Sequence, residues 1–262
     1  MLYERYLRAY AEQFRKTDRN MWNYEDGCVL IGLRALYQAT GDAFYFDVLN
    51  SFMERYIEPD GTIRRYVAEE YNLDYIPAGC ALYTLYDETG ESRYRKAIET
   101  LEEQLRHQPR TPCGSFWHKG IYPNQVWLDG LYMGLPFHAA YALRFGDAAT
   151  LDDIMLQFRN ARKYLYDGKT GLYYHAWNET KDVFWADPKT GLSQNFWTRA
   201  IGWSRSGRTA TILPGVRPSI LRAAAPTCKR SWPPSGKRPS TECCAGRSRT
   251  AACSTSCLPC PM

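Results

Sequence analysis

The chain has 262 residues, of which 23% are charged and 15% are aromatic, a composition typical of a globular protein rather than a disordered one. No run approaches 18 apolar residues and the first ten residues lack the features of a signal peptide, so we expect a cytoplasmic protein without a membrane span. The net charge of +5 is uneven, because residues 204–262 carry ten basic residues and one acidic residue, whereas residues 1–203 have a net charge of −4.

One pattern recurs at intervals of about 50 residues, in which an apolar-periodic helix ends at a glycine and an acidic residue starts the next helix. The glycines and the acidic residues that follow them are Gly41-Asp42, Gly90-Glu91 and Gly146-Asp147. Glycine suits this position because it adopts positive φ without strain, and an acidic residue at a helix start is favourable to the helix dipole. The repeat therefore predicts helix–loop–helix hairpins, with second helices over residues 43–57 and 92–107.

Longer loops rich in aromatic residues, Gly and Pro separate the predicted hairpins, over residues 58–75, 108–127 and 166–196. Short β-hairpins are expected in them around Gly61 and Gly171. Because long loops that meet at one face commonly carry function, we expect the site there. The predicted fold is all-α, a ring of helical hairpins. Six hairpins of ~50 residues need ~300 residues, so a chain with about four of them forms an incomplete ring.

A carboxylate among aromatic side chains occurs in the segment Trp127-Leu128-Asp129-Gly130. Its near neighbours in sequence are Trp117, His118, Lys119 and Tyr122. An aspartate at a helix start commonly caps the helix. A carboxylic acid held against aromatic rings loses solvation, which raises its pKa and prepares it for general acid catalysis. Both roles remain open for Asp129 from the residues alone.

A second carboxylate, Asp74, also lies immediately before a repeat helix. The repeat places Asp74 and Asp129 at equivalent starts of successive inner helices, which face the same central opening in a ring of hairpins. Two carboxylates at one opening are the arrangement that glycoside cleavage uses. The alternative for Asp74 is again a helix cap.

A third group of candidates lies between Gly171 and Trp203 and includes His175, Trp197 and Arg199. His175 is either a structural residue or part of a site. Arg199 either forms a structural ion pair or binds a substrate carboxylate through two hydrogen bonds. No spacing of His, Cys and carboxylates indicates a metal, and no phosphate-binding loop or nucleophile signature is present.

Several of these motifs, taken in order, resemble the unsaturated rhamnogalacturonyl hydrolases of glycoside hydrolase family 105. The resemblance rests on residues 109–119, 127–133, 171–177 and 197–203. It implies an (α/α)6 barrel, consistent with the hairpin repeat, and no metal or other cofactor. The substrate that it implies is an oligosaccharide with a 4,5-unsaturated galacturonic acid at its non-reducing end, linked to rhamnose.

By this resemblance, Asp129 is the general acid/base that protonates carbon 4 and activates a water for carbon 5, and Asp74 assists and orients. The resemblance assigns substrate binding to Tyr24, His118, Lys119, Trp127, Met133, His175, Trp197, Arg199 and Trp203. Among these, Trp127 and Trp203 would form a platform for the sugar, and the cationic side chains suit its uronate.

The composition changes abruptly at Ser204, since residues 204–262 contain no Tyr or Phe, eight of the 15 Pro and six of the nine Cys. A basic tail normally suggests nucleic acid, but the high Cys content and the lack of any period favour an out-of-frame or disordered segment. A metal site at Cys253, Cys257 and Cys260 is disfavoured because no His follows them. We therefore predict a partial (α/α)6 domain over residues 1–203, a separate tail, and no nucleic-acid partner.

Two other functions are open. Related unsaturated glucuronyl hydrolases act on oligosaccharides derived from glycosaminoglycans, and the residues around Asp129 favour the pectin branch over them. The other alternative is a non-catalytic carbohydrate-binding remnant, because an incomplete ring leaves apolar helix faces exposed and we expect it to fold poorly and to have little activity.

Overall fold

A computed structural model describes residues 2–17, 19, 21–146 and 148–212, which belong to one compact unit, Met1–Leu221. Ten α-helices and two short strands occur within these residues. The helices are α1 (Leu2–Lys16), α2 (Tyr24–Thr40), α3 (Ala43–Tyr56), α4 (Ile76–Gly79), α5 (Leu82–Thr89), α6 (Ser92–His107), α7 (Gly130–Met133), α8 (Leu135–Phe145), α9 (Ala148–Leu165) and α10 (Thr198–Ile212), and the strands are β1 (Gln125–Trp127) and β2 (Ala176–Asn178).

The predicted helical hairpins are present, with α2 packed on α3, α5 on α6 and α8 on α9. The glycine after the first helix of each pair has a φ of 68°, 69° and 78° at Gly41, Gly90 and Gly146. Asp42 caps α3 through a 3.1 Å hydrogen bond from the backbone N–H of Phe44, whereas the side chain of Glu91 makes no such bond. Asp147 lies outside the described residues.

Each hairpin buries its apolar side because hydrophobic residues recur every three or four positions. In α6, for example, the fully buried residues include Tyr94, Ile98, Leu101 and Leu105. The first helix of the second and third hairpins is preceded by a short helix, α4 or α7. Pro77 lies in the first turn of α4 and Pro136 in the first turn of α8, positions that tolerate a residue without a backbone N–H. Asp74 lies in the short helical turn Leu73–Tyr75 that leads into α4, and Asp129 lies immediately before α7.

The long loops contain more β-structure than the sequence predicts. Antiparallel bridges join Ile57 to Ile63 and Tyr166 to Tyr173, which confirms the turns expected around Gly61 and Gly171. In addition, β1 pairs with β2 in antiparallel register, with Val126 opposite Trp177. This ladder joins the 108–127 loop to the 166–196 loop, two segments that no local pattern pairs.

Helix α10 continues past Trp203 to Ile212. The proposed tail lies outside the described residues from 213 onward, so its frame-shifted or disordered character stays a prediction. Within the described part of the chain, no helix is both long and apolar enough to cross a membrane.

Candidate active site

Asp129 follows β1 and stands at the start of α7, where its backbone carbonyl accepts hydrogen bonds from Tyr132 (2.9 Å) and Met133 (3.1 Å). Asp129 occupies the N-cap position of α7, but its side chain makes no capping hydrogen bond. The residue is only 6% exposed, and its Oδ2 has no hydrogen-bond partner within the described structure. The nearest basic atom is Nε2 of His175, 3.9 Å from Oδ2, which is beyond hydrogen-bond distance.

Burial raises the pKa of Asp129 because the ionised form loses solvation there. The positive charges of His118 and His175 oppose this shift, and the negative charge of Asp74 adds to it. Burial also lowers the pKa of His175, against the attraction of Asp129. The local environment therefore shifts the pKa of Asp129 upward and that of His175 downward.

Asp74 has the opposite environment. The cap of its helical turn is Asn72, whose Oδ1 accepts a 3.0 Å hydrogen bond from the backbone N–H of Asp74, so the capping role considered for Asp74 belongs to another residue. The Asp74 carboxylate lies 3.2 Å from Nε2 of His118 and 2.8 Å from Nζ of Lys119. Burial alone would raise the pKa of Asp74, but the hydrogen bonds and charges of His118 and Lys119 together lower it to about 2.

Aromatic rings connect the two carboxylates. His118 stacks on Trp127 with 4.6 Å between ring centroids, and Tyr122 stacks on Trp127 at 5.2 Å. His175 approaches Trp127 edge-on at 5.5 Å and Trp197 at 4.8 Å. Part of the Trp127 ring is therefore packed against other side chains of the protein, and its role as a sugar platform stays a prediction.

The remaining predicted residues are side chains of α2 and α10 and one residue of the hydrophobic core. Trp203, on α10, packs against Tyr132 at 4.6 Å and meets Tyr24 edge-on at 6.3 Å. The guanidinium of Arg199 lies 3.8 Å from the ring centroid of Trp197, is exposed, and has no carboxylate partner among the described residues. Met133 is 2% exposed and belongs to the hydrophobic core, so its contact with substrate stays a prediction.

Two clefts flank the side chains that surround Asp74 and Asp129. The first, which we call the charged cleft, has a volume of about 510 Å³ and is lined by residues that include Tyr24, Asp74 and Lys119. The second, which we call the aromatic cleft, has a volume of about 440 Å³ and is lined by residues that include Trp127 and His175. No group of three or more His, Cys, Asp and Glu residues in the described ranges is arranged to hold a metal ion.

Two buried glutamines that the sequence analysis did not identify hold the loops of the site. Nε2 of Gln108 donates to the backbone carbonyls of Tyr71 (2.6 Å) and Trp117 (2.8 Å), and Nε2 of Gln104 donates to that of Asn72 (3.2 Å). Gln104 on α6 and Gln108, immediately after its end, are four residues apart in the sequence, and a buried amide needs a hydrogen-bond partner. These amides fix the segments that carry Asp74 and His118.

One family model and several known proteins match this chain. The model of Glycosyl Hydrolase Family 88 matches residues 3–213. An unsaturated rhamnogalacturonyl hydrolase of Bacillus subtilis, YesR, is 26% identical over 193 residues, which are 70% of this chain and 51% of that protein. The chain therefore spans about half the length of this relative.

Solved structures share the fold. A family 105 glycoside hydrolase from C. acetobutylicum is 45% identical, with a TM-score of 0.75 over 79% of this chain and 57% of that one. An unsaturated glucuronyl hydrolase from Bacillus sp. GL1 has a TM-score of 0.51 at 20% identity, over 79% of this chain and 56% of that one, which shows a similar fold alone. The predicted all-α fold of six-hairpin glycosidases is thus confirmed, for the part of it that this chain covers.

Proposed function

Since the chain belongs to glycosyl hydrolase family 88, together with its relatives of family 105, we propose that it removes a 4,5-unsaturated galacturonate from rhamnogalacturonan oligosaccharides. One observation carries the proposal. Asp129 is a buried carboxyl group whose Oδ2 has no hydrogen-bond partner and whose pKa is raised, beside a second carboxylate whose pKa is lowered to about 2. Two carboxyl groups whose pKa values are shifted in opposite directions are typical of acid/base catalysis.

The two carboxyl groups have different roles in this proposal. Protonated Asp129 donates its proton to carbon 4 of the unsaturated ring, which leaves a positive charge shared by carbon 5 and the ring oxygen. The Asp129 carboxylate then accepts a proton from the water that bonds to carbon 5, and this returns Asp129 to its starting state. Asp74 remains ionised, and its pairs with His118 and Lys119 hold those two side chains beside the reacting ring.

The product of this step decomposes without further assistance from Asp129. The hydroxyl group added to carbon 5 makes a hemiketal, which opens to a ketone as the bond from carbon 5 to the ring oxygen breaks. Carbon 1 then carries a hemiacetal, whose collapse to an aldehyde releases the leaving sugar as an alcohol. One water is consumed and no redox partner is required.

Arg199 is the residue best suited to hold the uronate. It lacks a carboxylate partner in the described structure, whereas Lys119 is already paired with Asp74. An arginine donates two parallel hydrogen bonds to a carboxylate, a geometry that a lysine does not offer. We assign galacturonate rather than glucuronate because the 45%-identical structure belongs to family 105 and YesR is named for rhamnogalacturonan.

The test follows the loss of ultraviolet absorbance of the conjugated double bond, with the full chain and an unsaturated rhamnogalacturonan disaccharide. We expect Asp129→Asn to reduce kcat by about 10²- to 10⁴-fold, the usual contribution of a general acid. Because Asp129 must be protonated to donate, kcat/KM in the wild type should fall as the pH rises through its raised pKa.

The matched control is Asp152→Asn, which changes an exposed aspartate on α9 in the same way. Asp152→Asn should leave turnover unchanged. Turnover that survives Asp129→Asn would overturn the proposed role of Asp129. Saturable binding of the disaccharide by the wild type without any turnover would instead support the carbohydrate-binding alternative.

A further inference from the structure

The aromatic cleft contains an apolar side chain that the proposed chemistry does not use. Phe184 is 96% exposed, yet it lines the same cleft as Trp185 and Trp127. A single exposed apolar residue is ordinary on a protein surface, but three large aromatic residues at one concave surface are typical of a binding site.

The segment that presents Phe184 is held by its own hydrogen bonds. The backbone N–H of Ala186 donates to the carbonyl of Val183 at 3.0 Å, which closes a turn around Phe184 and Trp185. At the base of the segment, the N–H of Asn178 donates to the carbonyl of Gly191 at 2.8 Å. These hydrogen bonds hold the backbone around Phe184 in place, so binding of a ligand requires little further ordering of this segment.

Trp177 anchors the base of this segment to the helical core. Its indole N–H donates to the carbonyl of Thr190 at 3.2 Å, and its ring is stacked on Tyr164 of α9 with centroids 4.3 Å apart. The exposed ring of Phe184 and the buried ring of Trp177 thus belong to one structured segment, residues 177–191.

The chemistry of the two clefts differs. The charged cleft includes Arg65, Glu70, Asp74 and Lys119 among its lining residues. None of the residues that line the aromatic cleft is an Asp, Glu, Lys or Arg, and its polar groups include the amides of Gln194 and Asn195. Aromatic faces pack against the C–H groups of a sugar ring, and amides bond its hydroxyl groups.

The aromatic cleft also adjoins the reaction centre. His175 lines it and approaches the Asp129 carboxyl group to 3.9 Å. A ring seated in this cleft is therefore close to a uronide at Asp129, on the side of the reaction centre that His175 occupies.

We propose that the aromatic cleft binds an uncharged sugar of the leaving group, with Phe184 and Trp185 as a stacking platform and Asn195 as a hydrogen-bonding group. This inference rests on the proposed function for the position of the bond that is cleaved. Phe184 is then a specificity-determining residue that favours a sugar over a small alkyl group as the leaving group.

The test compares two substrates that share the unsaturated galacturonate. One carries a neutral sugar as leaving group, and the other carries only a methyl group. In the full-length chain, Phe184→Ala should lower kcat/KM for the disaccharide by roughly three- to tenfold, the loss expected for one stacked ring, and leave the methyl glycoside unchanged. Phe184→Tyr should retain the wild-type ratio, and Met155→Ala, an exposed apolar residue on α9, is the control for surface truncation.

Calorimetric titration with the corresponding saturated disaccharide gives a second readout that does not require turnover. Phe184→Ala should raise its Kd by the same factor. Equal losses for both substrates, or an unchanged Kd, would overturn the platform while leaving the hydrolysis of the methyl glycoside as a separate test of the proposed function. If neither substrate is cleaved, a Kd that depends on Phe184 still supports the platform, and one that does not refutes it.

Discussion

Replacing Asp74 by Asn tests whether its ion pairs stabilise the fold as well as the site. The folded-state pKa of Asp74 is about 2, compared with an ordinary value of 3.8. Each unit of difference corresponds to ~1.4 kcal/mol, so the ionised side chain contributes about 2 kcal/mol to the free energy of unfolding. Because Asp74 is 9% exposed, solvent screening reduces this value only modestly.

The direction of the pH dependence follows from the lowered pKa. The stabilisation is fully present above the ordinary pKa of 3.8 and is lost as the pH falls through about 2. We therefore expect Asp74→Asn to be less stable than the wild type by about 2 kcal/mol at pH 7, and the difference to narrow below pH ~4.

Urea unfolding followed by tryptophan fluorescence measures this difference. With a slope of ~2 kcal/mol per molar urea, the midpoint of Asp74→Asn should lie about 1 M below that of the wild type at pH 7. Asp152→Asn, on the exposed side of α9, should retain the wild-type midpoint. Equal stability of Asp74→Asn and wild type at pH 7, or a difference in the free energy of unfolding that stays constant down to pH 3, would show that the ionised Asp74 does not stabilise the fold in this way.

Two further substitutions test the scaffold. His138 is buried, and its Nδ1 lies 2.8 Å from Oε2 of Glu102. Burial lowers the pKa of His138, but the interactions with Asp153 and Glu102 outweigh burial, so the net pKa is raised. Its contribution is thus complete below the ordinary histidine pKa and is lost as the pH rises through the higher folded value, so His138→Gln should destabilise more at pH 6 than at pH 9 in urea titrations, and a constant loss would contradict this. Gly191 has a φ of 81°, and a Cβ added there would collide with the backbone carbonyl of Asn178. Gly171 has a φ of 73°, but a Cβ added there would meet only the hydroxyl of Tyr166, at an ordinary van der Waals distance of 3.9 Å. Gly191→Ala should therefore lower the Tm more than Gly171→Ala. Equal shifts in Tm would contradict this, because they would show that the backbone around Gly191 moves to accommodate the added Cβ.

Local features of the sequence determined the helices. Apolar residues at helical spacing, and a glycine at the end of a helix, favour their structure through contacts with residues near them in sequence. The bounds of α6 and the positive φ of Gly90 therefore follow from the sequence itself. The same local pattern located Asp74 and Asp129 at the starts of successive inner helices. The family resemblance, confirmed by the comparisons, came from motifs that are contiguous in sequence.

Only the tertiary structure decided how these residues are partnered. Lys119 pairs with Asp74, whereas Oδ2 of Asp129 has no hydrogen-bond partner, although both aspartates lie at the start of a helical segment. The difference arises because β1 pairs with β2, about 50 residues later in the chain, and this brings His175 rather than a lysine beside Asp129. A contact between distant segments depends on the paths of both loops, and no periodicity within either loop encodes it.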